Sequence, residues 1–175
     1  MLRRRFGIMV ALVTCAALAT AIAIVAVAGD KGALQRSTNV QDIPETTVKD
    51  LITKAKDASK KAYAPYSKFS VGAAVLTDSG DVFTGCNVEN ASYGLTICAE
   101  RNAVFHMVSE SKRKIKMVVI YTPTEKPSAP CGACRQVVNE FGPDAEILSV
   151  CDGPDVLRKK LSDLLPDAFG PANLK

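Results

Sequence analysis

The sequence contains no tryptophan and a single histidine, and aromatic residues make up only 6% of its 175 residues. A zinc site built on two or three histidines is therefore excluded. The histidine, His106, lies eight residues after the nearest preceding cysteine, Cys98, and is poorly placed to act with it as a ligand. Any metal must be held mainly by other side chains.

Most of the chain also lacks an excess of positive charge. Residues 1–43 carry five of the 22 basic and two of the 18 acidic side chains, so residues 44–175 carry 17 basic and 16 acidic ones. The pI of about 8.7 thus reflects mainly the N-terminal segment. A nucleic-acid-binding domain usually has a strongly basic face, so we expect no nucleic-acid partner.

Long hydrophobic runs are absent except at the N-terminus. Arg3, Arg4 and Arg5 precede 23 uncharged residues, 6–28, which end in Ala26-Val27-Ala28. The run is long enough to span a bilayer, and its end is typical of a signal-peptidase site. Residues 1–28 are predicted to be a signal peptide or a membrane anchor, which implies the secretory route or membrane association through residues 6–28. The alternative is a mis-assigned start on a cytoplasmic protein. Residues 29–43 are interpreted as a polar linker.

Two short cysteine-containing runs carry the most informative pattern: Cys98-Ala99-Glu100-Arg101 and Pro130-Cys131-Gly132-Ala133-Cys134-Arg135. Three thiols can bind zinc and leave a fourth coordination position open, which is typical of catalytic rather than structural sites. Glu100 is suitably placed to move a proton next to the metal. The pattern matches the zinc signature of base deaminases, in which Cys-x-x-Cys follows an earlier ligand-x-Glu.

Each half of this pattern has a simpler interpretation. A lone Cys-x-x-Cys can be a redox pair or a chance occurrence, and Glu100 alone can be a solvated helix residue. The ordered conjunction of all four residues favours a catalytic zinc site. Arg101 and Arg135 follow the ligands directly, and one or both are expected to donate hydrogen bonds to the sulfurs. Cys86 and Cys151 are flanked by strand-like sequence and are expected to be buried free thiols.

Residues 44–175 read as one domain in which helices alternate with short strands. Helical spacing predicts helices at 45–62, from Cys98 to about 109, from Pro130 onward and at 155–165. Apolar, β-branched segments predict strands at 69–77, 82–86, 116–121 and 147–150, with a tail at 167–175. This alternation indicates an α/β layered domain.

The sequence resembles the small homotetrameric cytidine deaminases over residues 44–169. Besides the two cysteine runs, the resemblance rests on two further motifs: Tyr66-Ser67-Lys68-Phe69-Ser70-Val71-Gly72-Ala73-Ala74 and Gly85-Cys86-Asn87-Val88-Glu89-Asn90-Ala91-Ser92-Tyr93. It implies an α/β fold of three layers, with a mixed β-sheet flanked by helices. It also implies zinc-dependent hydrolytic deamination of cytidine and 2′-deoxycytidine in pyrimidine salvage. The subunit would bind one Zn²⁺ through Cys98, Cys131 and Cys134, with Glu100 catalytic.

The resemblance further implies a set of substrate-binding residues. Asn87 and Glu89 would bind the ribose hydroxyls, and Phe69 would stack near the base. Arg101 would support the metal site, and Phe169 would reach a neighbouring subunit. The remaining expected substrate contacts are Val88, Asn90, Tyr93 and Ala99. Independently of the resemblance, a carboxylate such as Glu89 accepts from a sugar hydroxyl but repels a phosphate, which favours nucleosides over nucleotides.

Three other functions remain open at this stage. The first is a relative that acts on a cytosine-containing antibiotic nucleoside. The second is a nucleic-acid editing deaminase, which the near-neutral charge of residues 44–175 disfavours. The third is a non-catalytic zinc-binding module at a membrane, which the presence of Glu100 disfavours.

Overall fold

A computed structural model describes residues 43–174. Their five strands form one mixed sheet with the order β2-β1-β3-β4-β5, in which β3 and β4 are parallel and the other neighbouring pairs are antiparallel. The elements are α1 (Glu45–Ser59), β1 (Gly72–Thr77), β2 (Val82–Cys86), α2 (Ala99–Ser109), β3 (Ile115–Tyr121), α3 (Gly132–Phe141), β4 (Glu146–Val150), β5 (Val156–Lys160) and α4 (Leu161–Leu164), with 3₁₀ turns at Tyr93–Leu95 and Pro171–Leu174.

Helices cover both faces of the sheet. On one face, Val48, Leu51 and Ala55 of α1 pack against alternate residues of β1, β3 and β4. On the other face, α2 and α3 pack against the intervening residues of the same strands. Because β1 is buried on both faces, its sequence is apolar up to the terminal Thr77 instead of alternating. The predicted fold of three layers, a mixed sheet flanked by helices, is confirmed.

The strand directions bring two helix N-termini to the same edge of the sheet. Strand β1 is antiparallel to both β2 and β3, so β2 and β3 run in the same direction. Helix α2 follows β2, and α3 follows β3. Both helices therefore begin beyond the carboxyl ends of strands, which is where open α/β sheets usually form their ligand sites.

The predicted helix at 155–165 is wrong. Residues Val156–Lys160 form the edge strand β5, and the helix that follows, α4, spans only Leu161–Leu164. Strand β5 hydrogen-bonds along β4, with Arg158 opposite Leu148, and Arg158 forms a diagonal ion pair with Glu146 of β4. Pairing with the open edge of β4 outweighs the weak helical preference of this short amphipathic segment.

Smaller differences concern element ends and the other cysteines. The first helix ends at Ser59, the first strand begins at Gly72, and α3 begins at Gly132 instead of at Pro130. Proline therefore lies outside the helix that it was expected to open. Cys151 is a buried free thiol as predicted, whereas Cys86 is free but only half-buried.

The predictions for residues 1–28 and for nearly all of the linker fall outside the described residues. Among residues 43–174, no helix is long and apolar enough to cross a membrane.

Candidate metal centre and active site

The three candidate ligands lie at the beginnings of α2 and α3. Cys98 and Cys131 immediately precede the two helices and have extended backbones, and Cys134 lies in the first turn of α3. The first turn of a helix has unpaired N–H groups and carries the positive end of the helix dipole. This location stabilises thiolates, which are the form that binds metal.

The geometry of the three thiols fits a zinc ion. Their sulfurs all lie within 4.8 Å of one another. The Cys98 and Cys131 sulfurs are 4.0 Å apart, and those of Cys131 and Cys134 are 3.4 Å apart. Tetrahedral zinc with bonds of about 2.3 Å to sulfur would place its ligands roughly 3.8 Å apart. His106 lies elsewhere, with its ring edge-on to Phe83, so it cannot complete the site.

Of the two candidate arginines, only Arg101 contacts the thiol cluster and balances its charge. Its guanidinium donates to the sulfur of Cys98 at 3.5 Å and to the carbonyl of Thr96 at 3.1 Å. Hydrogen bonding to Cys134, and then to Arg101, lowers the pKa of Cys98 to about 5. Arg135 instead donates to the carbonyls of Pro130 and Leu164, so it ties the chain together without contacting sulfur.

Glu100 is a buried carboxyl group beside the thiols. It lies in the first turn of α2 and is only 5% exposed. Burial raises the pKa of Glu100, and the nearby Cys98 raises it further. A carboxyl group in such surroundings holds a proton more readily than one in water, which suits it to accept and return protons.

A cavity of about 270 Å³ opens beside this cluster. The side chains around it come from the loop before β1, the loop after β2, the start of α2 and the segment between β3 and α3. Its lining residues are Ser67, Phe69, Val71, Asn87, Glu89, Thr96, Cys98, Ala99, Glu100, Ile120, Thr122, Ser128, Ala129 and Cys131. The cavity therefore joins the thiols to four of the residues expected to bind substrate, namely Phe69, Asn87, Glu89 and Ala99.

Asn87 and Glu89 hold two parts of the cavity wall together. The side-chain amide of Asn87 donates to the carbonyl of Phe69 and accepts from the N–H of Val71, both at 2.8 Å. Glu89 accepts hydrogen bonds from the backbone of Tyr66 and from both the backbone and the hydroxyl of Ser67. Asn87 and Glu89, which follow β2, therefore both fix the loop that precedes β1.

The other predicted contact residues do not line this cavity in the single chain. Val88 pairs through its backbone with Tyr63 and Ile97, and its side chain is 45% exposed. Tyr93 is 75% exposed and Phe169 is 59% exposed. Asn90 turns its side-chain oxygen toward the N–H of Ser92. Their roles in binding stay predictions.

Four polar residues of the cavity wall were not singled out from the sequence: Ser67, Thr96, Thr122 and Ser128. Ser67 lies inside the motif that begins at Tyr66, so the sequence marked its surroundings as part of the site without marking Ser67 itself. Thr122 and Ser128 lie in the segment between β3 and α3, where no residue type marked them.

The chain is similar to known proteins over most of the described region. A family model described as "Cytidine and deoxycytidylate deaminase zinc-binding region" matches residues 45–150. A cytidine deaminase of Sporosarcina psychrophila is 45% identical over 129 residues, which cover 73% of this chain and 94% of the relative. A cytidine deaminase of Mycobacterium tuberculosis is 48% identical over 116 residues, which cover 66% and 84%.

Solved structures agree with these matches. The crystal structure of a cytidine deaminase from Burkholderia pseudomallei has a TM-score of 0.67 and 51% sequence identity, and the alignment covers 69% of this chain and 98% of that one. Residues 45–150, which the family model matches, include the three thiols, Glu100 and the cavity-lining residues. The chain therefore belongs to the cytidine and deoxycytidylate deaminase family of zinc-binding enzymes.

Proposed function

We propose that the protein hydrolyses the exocyclic amine of cytidine and 2′-deoxycytidine, giving uridine or 2′-deoxyuridine and ammonia. One water is consumed for each amine released. The observation that carries the proposal is the position of Glu100, a buried carboxyl on the wall of a cavity that also contains two thiols of the cluster and the carboxylate of Glu89. Cytidine deaminases among the relatives support the same substrate.

Cys98, Cys131 and Cys134 would hold one zinc ion per subunit, which supplies Lewis-acid activation of water when bound. Glu100 accepts a proton from the attacking water, delivers it to the ring nitrogen and then helps to protonate the departing amine. Its burial excludes competing solvent protons. Arg101 offsets the negative charge of three thiolates through its bond to Cys98.

The remaining wall of the cavity would bind the nucleoside. Phe69 provides an aromatic face for the base, Ala99 contacts the base edge, and Asn87 and Glu89 bind the sugar hydroxyls. A negatively charged Glu89 in the cavity disfavours a substrate with a nearby phosphate. Val88, Asn90 and Tyr93 would make further contacts when the substrate and a neighbouring subunit are in place.

The active form would be a homotetramer. Several large apolar side chains are exposed in the single chain, which is unusual for a surface that remains in water. They include Tyr66, Tyr93, Leu95 and Phe169. The rings of Tyr66 and Tyr93 pack edge to face, with their centroids 5.9 Å apart. Phe169 would enter the cavity of a neighbour. Light scattering on the purified protein tests this: a mass of one or two chains in a fully active sample would contradict the tetramer.

Residues 1–28 are proposed to direct the chain to a membrane or the secretory route, residues 29–43 to form a linker, and residues 44–175 to form the catalytic domain. The charges and the apolar run of the sequence support the first part. Retention of the chain in the cytoplasm with Met1 intact would contradict it.

Turnover of a substrate panel by the purified, zinc-loaded protein tests the catalytic proposal. The panel is cytidine, 2′-deoxycytidine, their 5′-monophosphates and a cytosine-containing antibiotic nucleoside, with ammonia release measured directly. We expect the two nucleosides to be the best substrates. A clear preference for a monophosphate would contradict the proposed role of Glu89. A clear preference for the antibiotic nucleoside would indicate that the enzyme inactivates an antibiotic instead of serving pyrimidine salvage.

A further inference from the structure

Ser67 lies at the centre of a hydrogen-bond network on the cavity wall. Its hydroxyl and its backbone N–H donate to the two oxygens of Glu89, the latter at 3.2 Å, and the N–H of Tyr66 donates to Glu89 at 2.9 Å. The same hydroxyl accepts the N–H of Phe69 at 3.0 Å. A hydroxyl has one proton, so Ser67 donates its hydrogen bond to Glu89 and accepts another from the N–H of Phe69.

The backbone between these contacts is in a conformation that needs support. Lys68 has a φ of 59°, in the left-handed region that residues other than glycine and asparagine rarely adopt. Two bonds close the turn around it: Lys68 donates to the carbonyl of Ala64 at 3.1 Å, and the Ser67 hydroxyl accepts from Phe69. The side chain of Ser67 therefore maintains the turn that presents Phe69.

The network also leaves Glu89 partly available. A carboxylate offers about four acceptor positions, and Tyr66 and Ser67 together occupy three of them. The remaining position is on the oxygen that the Ser67 hydroxyl contacts. Glu89 is thus held in one orientation with one acceptor position left for a ligand. Without the hydroxyl, the same oxygen would lose its only protein donor in this network.

We infer that Ser67 is a positioning residue for nucleoside recognition, which orients the Glu89 carboxylate toward the sugar and fixes the turn that presents Phe69 to the base. The inference rests on the proposed function and adds to it a residue that acts through Glu89 without touching the reacting atoms. Ser67 contributes to substrate binding and not to the chemical step.

The kinetic test compares Ser67→Ala with Ser67→Thr, which keeps the hydroxyl, and with Ser70→Ala. Ser70 lies in the same loop, but it does not line the cavity. With cytidine, we expect Ser67→Ala to raise KM about tenfold, as for loss of a hydrogen bond to a charged group, with kcat changed less than about twofold. With 2′,3′-dideoxycytidine, which lacks the 2′- and 3′-hydroxyls and keeps only the 5′-hydroxyl, the loss is smaller. Ser67→Thr restores most of the binding, and Ser70→Ala behaves as the wild type.

A double-mutant cycle shows whether Ser67 acts through Glu89. In a Glu89→Gln background, the Ser67→Ala penalty should be clearly smaller than in the wild type, because only the support of the turn at Phe69 is then lost. A full penalty in that background, or equal losses for cytidine and 2′,3′-dideoxycytidine, would reduce Ser67 to a general structural role and overturn the inference. Zinc content and circular dichroism identify variants that fail to fold, and Ser67→Cys, similar in size but a weaker donor, then replaces Ser67→Ala.

A measurement without substrate separates this inference from the proposed function. The hydrogen bond from Ser67 is the main cause that lowers the pKa of Glu89. Carbon-13 NMR of the Glu89 carboxyl should therefore show a higher pKa in Ser67→Ala and an unchanged one in Ser70→Ala. If the wild type fails to deaminate cytidine, the proposed function fails while this coupling is still measured. An unchanged Glu89 pKa in Ser67→Ala would overturn the coupling itself.

Discussion

A methyl group on Gly85 would lie 2.6 Å from the carbonyl oxygen of Ala99. Strand β2 and helix α2 therefore meet backbone against backbone, with no space for a side chain between them. Asn102, one turn into α2, also donates to the carbonyl of Cys86 at 2.8 Å. This contact sets the distance between the segment that carries Asn87 and Glu89 and the helix that carries Glu100.

Gly85→Ala should destabilise the protein by about 2 kcal/mol, because the new methyl group forces two backbones apart. Gly94→Ala is the matched control, since nothing lies within 4 Å of the position that its methyl group would take. Urea unfolding of both variants gives the comparison. Equal stabilities for Gly85→Ala and Gly94→Ala would show that the β2–α2 contact is not tight.

Cys131→Ala should lose zinc, because two thiols hold the ion much less firmly than three. Elemental analysis should find well below one zinc per chain, together with reduced thermal stability, since metal binding contributes to folding. Cys86→Ala removes a free thiol outside the cluster and should keep its zinc. Stoichiometric zinc in Cys131→Ala would count against the proposed ligand set.

Glu100→Gln should keep the fold and the zinc but lose activity on cytidine by about 10²–10⁴-fold, the usual contribution of a general acid–base group. The substitution preserves shape while removing the ability to take up and release a proton. Steady-state kinetics on zinc-loaded samples provides the measurement. Turnover within threefold of the wild type would assign the proton transfers to another group.

Tyr121→Phe should change how stability depends on alkaline pH. Burial, with a hydrogen bond of 2.7 Å to Asp152, raises the pKa of Tyr121 to about 12. The folded chain then keeps the hydroxyl proton to higher pH than the unfolded chain, where the pKa is about 10. The stability that the proton provides is complete below pH 10 and is lost as the pH approaches 12.

The measurement is the free energy of unfolding in urea at pH 8 and at pH 11.5. At pH 8 Tyr121→Phe should be about 1 kcal/mol less stable than the wild type, because one hydrogen bond is lost. That gap should narrow at pH 11.5. Tyr63→Phe alters an exposed ring and serves as the control. A gap for Tyr121→Phe that is equal at both pH values would disprove the alkaline effect.

A chain that starts at Asp30 should be soluble, tetrameric and active, because residues 44–175 contain every motif of the site. The full chain should instead partition with membranes or enter the secretory route. Fractionation of tagged versions of both chains, followed by determination of the N-terminus, distinguishes the two outcomes. Identical soluble fractions for both chains, with Met1 retained in the full one, would contradict the targeting role.

The fold was predictable where local pattern and tertiary environment agree. The second strand, Val82–Cys86, was predicted with its observed bounds, and α2 begins directly after Cys98 as expected. The segment that forms β5 was mistaken for a helix, because its five residues become a strand only when β4 offers an open edge. Pairing between strands distant in sequence leaves no periodicity that distinguishes so short a segment.

The metal cluster was predictable because each ligand lies in a short motif with fixed spacing. The other residues of the cavity wall were harder to predict from the sequence. Ser67 contacts Glu89, 22 residues away in the sequence, and Thr122 reaches the cavity only because β3 ends beside the start of α3. Such contacts depend on how loops close over the sheet, which residue types alone do not encode.

Cys98 and Cys131 occupy the N-cap position, where serine, threonine or aspartate usually caps the first turn of a helix, and neither makes a side-chain hydrogen bond to the helix that it precedes. A zinc ion bound through the proposed ligands would therefore hold the N-termini of α2 and α3 together, in place of two independent caps. Removal of the metal should cause the N-terminal turns of both helices to fray at the same time, which would be measured as faster hydrogen exchange of their first amides. Metal occupancy and local order at the two helices would thus rise and fall together.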